Sequence, residues 1–139
     1  MLMPKKTKFR KVQRGTRKGR SKGARTVAFG EYGLQAVEPG WLTAQQIEAM
    51  RVSMSRKLKK IGKLFLRVFP DKPITKKPAE TRMGKGKGPV DKWVSVVKRD
   101  RVICEISGVG ETEARKVLRQ ASYKLPMKTR FVKKSDYES

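Results

Sequence analysis

A glycine- and lysine-rich loop is the segment of this sequence best suited to chemistry with phosphate groups. Residues 81–89 read Thr-Arg-Met-Gly-Lys-Gly-Lys-Gly-Pro. Glycine lets the backbone approach a phosphate closely, and each lysine adds a mobile positive charge. The spacing is neither that of a P-loop nor that of a Gly-x-Gly-x-x-Gly fingerprint, because Pro89 occupies the last glycine position. We predict that residues 78–89, here called the Gly/Lys loop, bind a polyanion; the alternative is a flexible surface loop.

The residue types needed for catalysis are scarce. The chain has no histidine and a single cysteine, Cys104, which removes the usual nucleophile–base pairs, intrachain disulfides and Cys-cluster zinc sites. Cys104 stands in an apolar run and is predicted to be a small buried residue in a reducing cytosol rather than a reactive thiol. No carboxylate pairs or metal-type clusters are apparent. We therefore predict no enzymatic activity, no metal and no cofactor.

The net charge points to a polyanionic partner. Thirty-six Lys and Arg face 12 Asp and Glu, a formal charge of +24, and self-repulsion of that size destabilises a compact chain unless a partner neutralises it. Acidic lipid is the weaker candidate, because no run of 18 apolar residues is present. Nucleic acid, and RNA in particular, is the predicted partner, with no membrane association.

The first 25 residues form a basic segment without any acid. Glycines are interleaved and apolar residues are few, so we predict an extended tail that cannot build a core. The alternative is a solubilising tail, although solubility does not require so many cations. The cations are Lys5, Lys6, Lys8, Arg10, Lys11, Arg14, Arg17, Lys18, Arg20, Lys22 and Arg25.

A first amphipathic helix is predicted over 44–61. Thr43 and Gln46 fit a capping box at its start, and Gly62 suits its C-terminal end. One face collects the apolar residues Ile47, Met50, Met54, Leu58 and Ile61. The second half carries more cations than the helix dipole explains, which favours a phosphate-facing surface. Those cations, with one just beyond the helix, are Arg51, Arg56, Lys57, Lys59, Lys60 and Lys63.

The remaining pattern predicts one α+β domain over 26–134, with two amphipathic helices packed on a mostly antiparallel sheet and a C-terminal tail at 135–139. Short strands are expected at 26–29, 34–38, 64–69, 74–77 and 129–132, and a second helix at 111–124. Strands 93–98 and 101–106 are expected to pair as a hairpin turned by Arg99 and Asp100. The predicted core is Ile47, Met50, Met54, Leu58, Leu64, Leu66, Val94, Val96, Val102, Ile106, Val117 and Leu118.

The turn Gly108-Val109-Gly110 permits two interpretations. It is similar to the second half of a helix-hairpin-helix motif, in which a helix N-terminus offers its amides to a DNA phosphate. However, a strand rather than a helix is predicted before it, and Glu111 and Glu113 would repel a phosphate. An ordinary strand–turn–helix connection is favoured. A free-standing DNA-backbone binder that uses this turn and the basic tail is kept as the alternative function.

Five strings resemble the bacterial large-subunit ribosomal protein L-sixteen family, and the resemblance runs from end to end. They are 1–11 (MLMPKKTKFRK), 41–49 (WLTAQQIEA), 67–73 (RVFPDKP), 77–88 (KPAETRMGKGKG) and 124–129 (KLPMKT). The fourth is the most specific. The resemblance implies an α/β-hammerhead-like fold and a non-enzymatic ribosomal protein of the large subunit that serves translation as part of a ribonucleoprotein.

The resemblance also implies partners and sites. The partners would be the large-subunit rRNA, A-site tRNA with P-site tRNA as a second candidate, and neighbouring large-subunit proteins, without homo-oligomers. The compartment would be the bacterial cytoplasm, with a plastid homologue as the alternative. The expected rRNA contacts are Lys5, Lys6, Lys8, Arg10, Lys11, Arg14, Arg17, Lys18, Arg51, Arg56, Lys59 and Lys60. The expected contacts with tRNA near the peptidyl transferase region are Arg82, Met83, Gly84, Lys85, Gly86, Lys87 and Gly88.

Overall fold

Two antiparallel sheets and two helices make up the described part of the chain. The computed structural model describes residues 25–58, 61–75 and 90–137. The elements run β1 (Tyr32–Ala36), β2 (Gly40–Thr43), α1 (Ala44–Leu58), β3 (Lys63–Leu66), β4 (Lys72–Thr75), β5 (Val90–Val97), β6 (Val102–Ser107), α2 (Glu111–Ser122), β7 (Thr129–Lys133) and a 3-10 turn, Lys134–Tyr137. The strand orders are β3-β6-β1-β7 and β2-β5-β4. The predicted α+β class is confirmed.

The capping box starts α1 as predicted. The Thr43 amide donates to Gln46 Oε1 at 3.0 Å, and the Gln46 amide donates to Thr43 Oγ1 at 3.1 Å. The helix ends at Leu58, and Ile61, predicted on the buried face, lies in a turn with 78% of its surface exposed. At Gly62 a Cβ would lie 2.7 Å from Leu58 Cδ2 and 3.1 Å from Ser107 O, so a larger residue would be crowded there. The prediction that Ile61 lies on the buried face of the helix is therefore wrong.

The hairpin predicted between the strands now called β5 and β6 does not form. β5 lies in the three-stranded sheet and β6 in the four-stranded sheet. At the turn between them, the Asp100 amide donates to Ala36 O and the Ala36 amide donates to Arg101 O, both at 2.8 Å. Asp100 adopts a positive φ of 76°. These bonds to the end of β1 direct the chain from one sheet into the other, an interaction that the local pattern does not encode.

The Gly/Lys loop connects the paired ends of a two-stranded ribbon. β4 and β5 are antiparallel, with Lys72 opposite Val94 and Thr75 opposite Val90. The chain therefore leaves the described structure at Thr75 and re-enters it at the neighbouring residue of the partner strand. β2, which the sequence pattern did not predict, pairs with the other edge of β5. The loop residues themselves lie outside the described residues.

The helices cover one face of the four-stranded sheet and form the main core with it. Cys104 on β6 contacts Met54 on α1, with 3.8 Å between Sγ and Sδ, and Leu118 on α2 is fully buried. Nine predicted core residues are confirmed as buried: Ile47, Met50, Met54, Leu58, Val94, Val102, Ile106, Val117 and Leu118. Leu64, Leu66 and Val96 are only partly buried. The first two lie on β3, an edge strand.

An irregularity in the β1–β6 pairing interrupts the alternation of side chains along β6. Leu34 pairs with Cys104, but Gln35 pairs with Val102, so the register shifts there. Ile103 consequently joins the core cluster beside Cys104. Val102 and Val27 both approach Gly33, where a Cβ would lie 3.4 Å from a methyl carbon of each. A bulge re-aims side chains in this way.

Candidate nucleic-acid interface

Few of the predicted contact residues lie within the described structure. Of the expected rRNA contacts, Arg51 and Arg56 are described, whereas Lys59, Lys60 and the tail residues 1–24 lie outside the described residues. The seven residues expected to contact tRNA, Arg82 to Gly88, also lie outside them. Those positions remain predictions, and the interface is built here from what surrounds them.

Arg51 has an internal partner. Its guanidinium donates to both carboxylate oxygens of Glu48, with Nη2–Oε1 at 2.5 Å and Nε–Oε2 at 3.1 Å. The side-chain hydrogen bond from Arg51 lowers the pKa of Glu48, and the same bond raises the pKa of Arg51. A phosphate at this position would have to compete with Glu48. Arg51 is therefore a weaker candidate contact than the sequence suggested.

The groove between the two helices is cationic at one end. Arg56 and Lys57 from the last turn of α1 line it together with Lys124, which follows α2. The groove encloses about 750 Å³, and all three cations are exposed. Its other lining residues are Gln45, Glu48, Ala49, Val52, Ser53 and Gln120. Polar side chains with a cationic end suit a phosphate backbone better than a small apolar ligand.

A second cationic surface was missed by the sequence interpretation. The solvent face of α2 carries Arg115, Lys116 and Arg119, all exposed, and these side chains line a groove of about 500 Å³ beside Thr129 and Phe131 of β7. Helical periodicity could have identified this face, because Ala114, Val117, Leu118 and Ala121 fill the opposite one. The exposed cations of the adjoining chain are Lys128, Arg130 and Lys134.

Within the α2 surface the cations are not equivalent. Glu111 Oε1 lies 3.5 Å from Arg115 Nη2 and 3.2 Å from Lys133 Nζ, and Arg115 also stands 4.3 Å from the centre of the Phe131 ring. Among the described residues, Lys116 and Arg119 have no carboxylate within ion-pairing distance. These two side chains are the best placed on this surface to neutralise a phosphate.

A buried carboxylate anchors the segment through which the basic tail joins the domain. Glu105 Oε1 accepts hydrogen bonds from three consecutive amides, those of Ala28 at 3.0 Å and of Phe29 and Gly30 at 2.8 Å. Its Oε2 pairs with Arg67. Successive amides form an anion-binding concavity, and a fully buried charge requires such partners. The strand predicted at 26–29 is wrong, since these amides bond a side chain instead of a neighbouring strand.

Gln35 binds the backbone of Arg25, the last residue of the basic tail. Its Nε2 donates to Arg25 O at 3.1 Å and to Asp100 O at 2.7 Å, while its Oε1 accepts from Arg130 Nε at 2.8 Å. Arg67 adds a bond to Thr26 O. The carbonyls and amides of residues 25–30 are thus held by side chains of β1 and β6 and by Arg67. Arg25, the last residue of the tail, is therefore held at the end of β1 by Gln35, which also binds Arg130.

The described residues hold no group of three His, Cys, Asp and Glu side chains that could ligate a metal. Cys104 is fully buried, as predicted, and burial raises the pKa of its thiol to about 12. The strand β6 leads directly into Gly108 and α2, so the strand–turn–helix interpretation is confirmed and the helix-hairpin-helix interpretation is wrong. Neither helix in the described ranges is long and apolar enough to cross a membrane.

Comparison with known families gives one result that covers nearly the whole chain. The family described as Ribosomal protein L16p/L10e matches residues 4–132. The match includes residues 4–25 of the basic tail, both cationic grooves and the Gly/Lys loop. Its extent agrees with the resemblance found in the five sequence strings. The chain therefore belongs to the Ribosomal protein L16p/L10e family and is a structural, non-enzymatic component of the large ribosomal subunit.

Proposed function

We propose that this chain binds the large-subunit rRNA through the basic tail and the two cationic grooves that flank α2. The observation that supports this most directly is the exposed cationic face of α2, where Lys116 and Arg119 lack a carboxylate partner in the described ranges. Arg56, Lys57 and Lys124 extend the positive surface on the other side of the same helix. Phosphate contacts position a protein on nucleic acid without reading its sequence, which suits a structural component.

We further propose that the Gly/Lys loop contacts A-site tRNA near the peptidyl transferase region, with P-site tRNA as a second candidate. The described residues that flank this part of the chain, Thr75 and Val90, are paired with each other on β4 and β5. The cationic grooves are formed by α1, α2 and β7 instead. A loop on a separate ribbon can reach a second RNA while the helices bind the first. The proposed compartment is the bacterial cytoplasm, with a plastid homologue as the alternative.

Ultraviolet crosslinking in assembled large subunits tests both proposals. Peptides from α2, from β7 and from the tail should carry rRNA nucleotides, and peptides from 78–89 should carry tRNA nucleotides when the A site is filled. A tRNA adduct that appears only when the P site is filled would assign the loop to the second candidate. The rRNA proposal fails if the α2 and β7 peptides remain unmodified while the protein co-sediments with the subunit.

A further inference from the structure

Phe29 presents an aromatic ring to solvent where the basic tail meets the domain. The side chain remains 64% exposed, although its ring centre lies 6.1 Å from that of Phe65 and 4.9 Å from Arg67 Cζ. Phe65 lies on β3, directly opposite Glu105 of β6. Two rings and a guanidinium therefore form one small platform, which we call the Phe29 platform and define as Phe29, Phe65 and Arg67.

The backbone beneath this platform is held in place. The Phe29 amide donates to the fully buried Glu105 carboxylate at 2.8 Å, and the amides on either side donate to the same oxygen. Arg67 is fixed by the other carboxylate oxygen. A phenylalanine has only two side-chain torsions, so a ring on a fixed backbone loses little entropy when it binds. Rigid presentation of an exposed ring is typical of a contact surface.

The charge around the platform indicates which ligand would cover it. The tail ends at Arg25, four residues before Phe29. The Arg25 side chain is half exposed, with Nη2 3.9 Å from Asp100 Oδ2, and exposed Lys63 shares a strand and a face with Phe65. The negative charge of Glu105 is buried and paired with Arg67, which leaves Glu31 as the exposed acid nearby in sequence. An aromatic ring that lies beside a guanidinium, with the exposed Lys63 two residues from Phe65, suits a group that has both a flat π-face and a negative charge.

We propose that Phe29 stacks on an unpaired base of the large-subunit rRNA, with Lys63 facing a flanking phosphate. RNA recognition commonly uses unstacked bases on aromatic side chains and on arginine planes. A neighbouring ribosomal protein is the competing occupant, but an apolar protein surface would gain little from the adjoining cations. The inference rests on the proposed rRNA binding and adds a site to it.

Crosslinking of wild-type large subunits is the first test, because it does not depend on a variant that must fold. The peptide that contains Phe29 should carry a single nucleotide adduct from rRNA. An adduct with another ribosomal protein would overturn the proposal, as would an unmodified Phe29 peptide when peptides from α2 are modified. If the α2 and β7 peptides are unmodified as well, the failure lies with the proposed rRNA binding instead.

Phe29→Leu and Phe29→Trp give the second test. Leucine keeps an apolar side chain but removes the π-face, whereas tryptophan restores and enlarges it. In Leu subunits the crosslinked base should become reactive to chemical probes, and in Trp subunits it should stay protected. The purified Leu variant should bind the matching rRNA fragment about 5- to 150-fold more weakly, as expected for loss of one base–aromatic stack. Equal affinity for wild type and Leu would overturn the proposal.

The salt dependence separates stacking from charge. Stacking releases no counterions, so the slope of log K against log salt should be unchanged in Phe29→Leu. Lys63→Ala is the matched control, and its slope should become shallower by about 0.7–0.9 if the lysine neutralises one phosphate. A shallower slope in Phe29→Leu would mean that the substitution had displaced cations, and the stacking role would be wrong.

Discussion

The carboxylate of Glu105 is fully buried and forms an ion pair with Arg67, whose side chain is itself only 16% exposed. The pair joins β6 to the chain beyond β3, and the second carboxylate oxygen binds the backbone of residues 28–30. One side chain therefore holds three separated segments together. Removing it would leave a guanidinium and three amides without their partner, which is more costly than losing an exposed ion pair.

Glu105→Leu should therefore destabilise the domain strongly. We expect a loss of about 3–5 kcal/mol, the cost of breaking a buried charge pair from one side. Glu105→Gln should cost less, because its amide oxygen still accepts from the backbone. Urea unfolding of the full chain measures both. Glu31→Gln is the matched control at an exposed acid and should stay within about 0.5 kcal/mol of wild type. Wild-type stability in Glu105→Leu would refute the anchoring role.

Cys104 should be unreactive while the protein is folded. Its thiol is fully buried and its pKa is raised to about 12, whereas the thiolate is the reactive form. A maleimide reagent at pH 8 should modify the native chain no faster than the chain unfolds, and it should label the urea-denatured chain at once. Rapid stoichiometric labelling of the native protein would show that β6 is more accessible than the structure indicates.

The same thiol gives a pH dependence with a definite sign. Because the pKa is higher in the folded state than the ordinary value of 9.0, the neutral thiol is favoured by folding. Its contribution is fully present below pH 9 and is lost as the pH rises toward 12, by up to about 1.4 kcal/mol per pH unit. Urea unfolding from pH 8 to 11 should show a steeper decline in wild type than in Cys104→Ala. Parallel declines would contradict this.

Core truncations should follow burial closely. Leu58 and Leu118 are 4% and 0% exposed, so Leu58→Ala and Leu118→Ala should each cost about 2–5 kcal/mol. Ile61→Ala is the control at an exposed aliphatic side chain on the same predicted helical face and should change the free energy of unfolding by less than about 0.5 kcal/mol. A large effect at Ile61 with small effects at both leucines would indicate that the helix extends to Ile61, as the sequence pattern predicted.

The cations of α2 should contribute more to rRNA binding than Arg51. Lys116→Ala and Arg119→Ala should each reduce the slope of log K against log salt by about 0.7–0.9 for an rRNA fragment. Arg51→Ala should reduce it less, because Glu48 already pairs with that guanidinium. Salt titrations of the three purified variants provide the comparison. A larger change of the slope for Arg51 than for the α2 cations would indicate that α1 forms the main contact surface.

The Gly/Lys loop should affect tRNA rather than folding. A Lys85→Ala and Lys87→Ala double variant, and separately Arg82→Ala, should leave the melting temperature of the purified protein and its incorporation into subunits near normal. A-site tRNA binding should weaken, because mobile charges and a forked guanidinium are lost. If incorporation collapses while the surviving subunits bind tRNA normally, the loop is an assembly element.

Interactions between residues that are close in sequence could be predicted, whereas interactions between distant residues could not. The capping box of Thr43 and Gln46 spans three residues and was predicted correctly, as was the buried face of α2. The turn at Asp100 depends on bonds to Ala36, so the alternation of β5 and β6 could not show that they belong to different sheets. The extended segment at 26–29 was predicted to be a strand because no residue nearby in the sequence indicates that its amides bind the Glu105 carboxylate instead of a neighbouring strand.

The features of the nucleic-acid interface also differ in whether they depend on local or distant interactions. Helical periodicity was sufficient to predict that Lys116 and Arg119 lie on the solvent face of α2. They were missed because a cationic surface was predicted only for the first helix. The pairing of Arg51 with Glu48, three residues away, was also visible as an opposite-charge pair on one helix. The Phe29 platform was not predictable, since it brings together two segments that are distant in sequence and depends on a register between β3 and β6 that no local pattern specifies.

The anchoring of the tail by Glu105 has a consequence for the order of events during synthesis. The basic tail is synthesised first, whereas Glu105, whose carboxylate binds the residues just after the tail, is synthesised 75 residues after Gly30. Until Glu105 has emerged from the exit tunnel, the amides of residues 28–30 have no carboxylate to accept their hydrogen bonds. The segment that joins the tail to the domain can therefore take up its final position only after β6 has been synthesised.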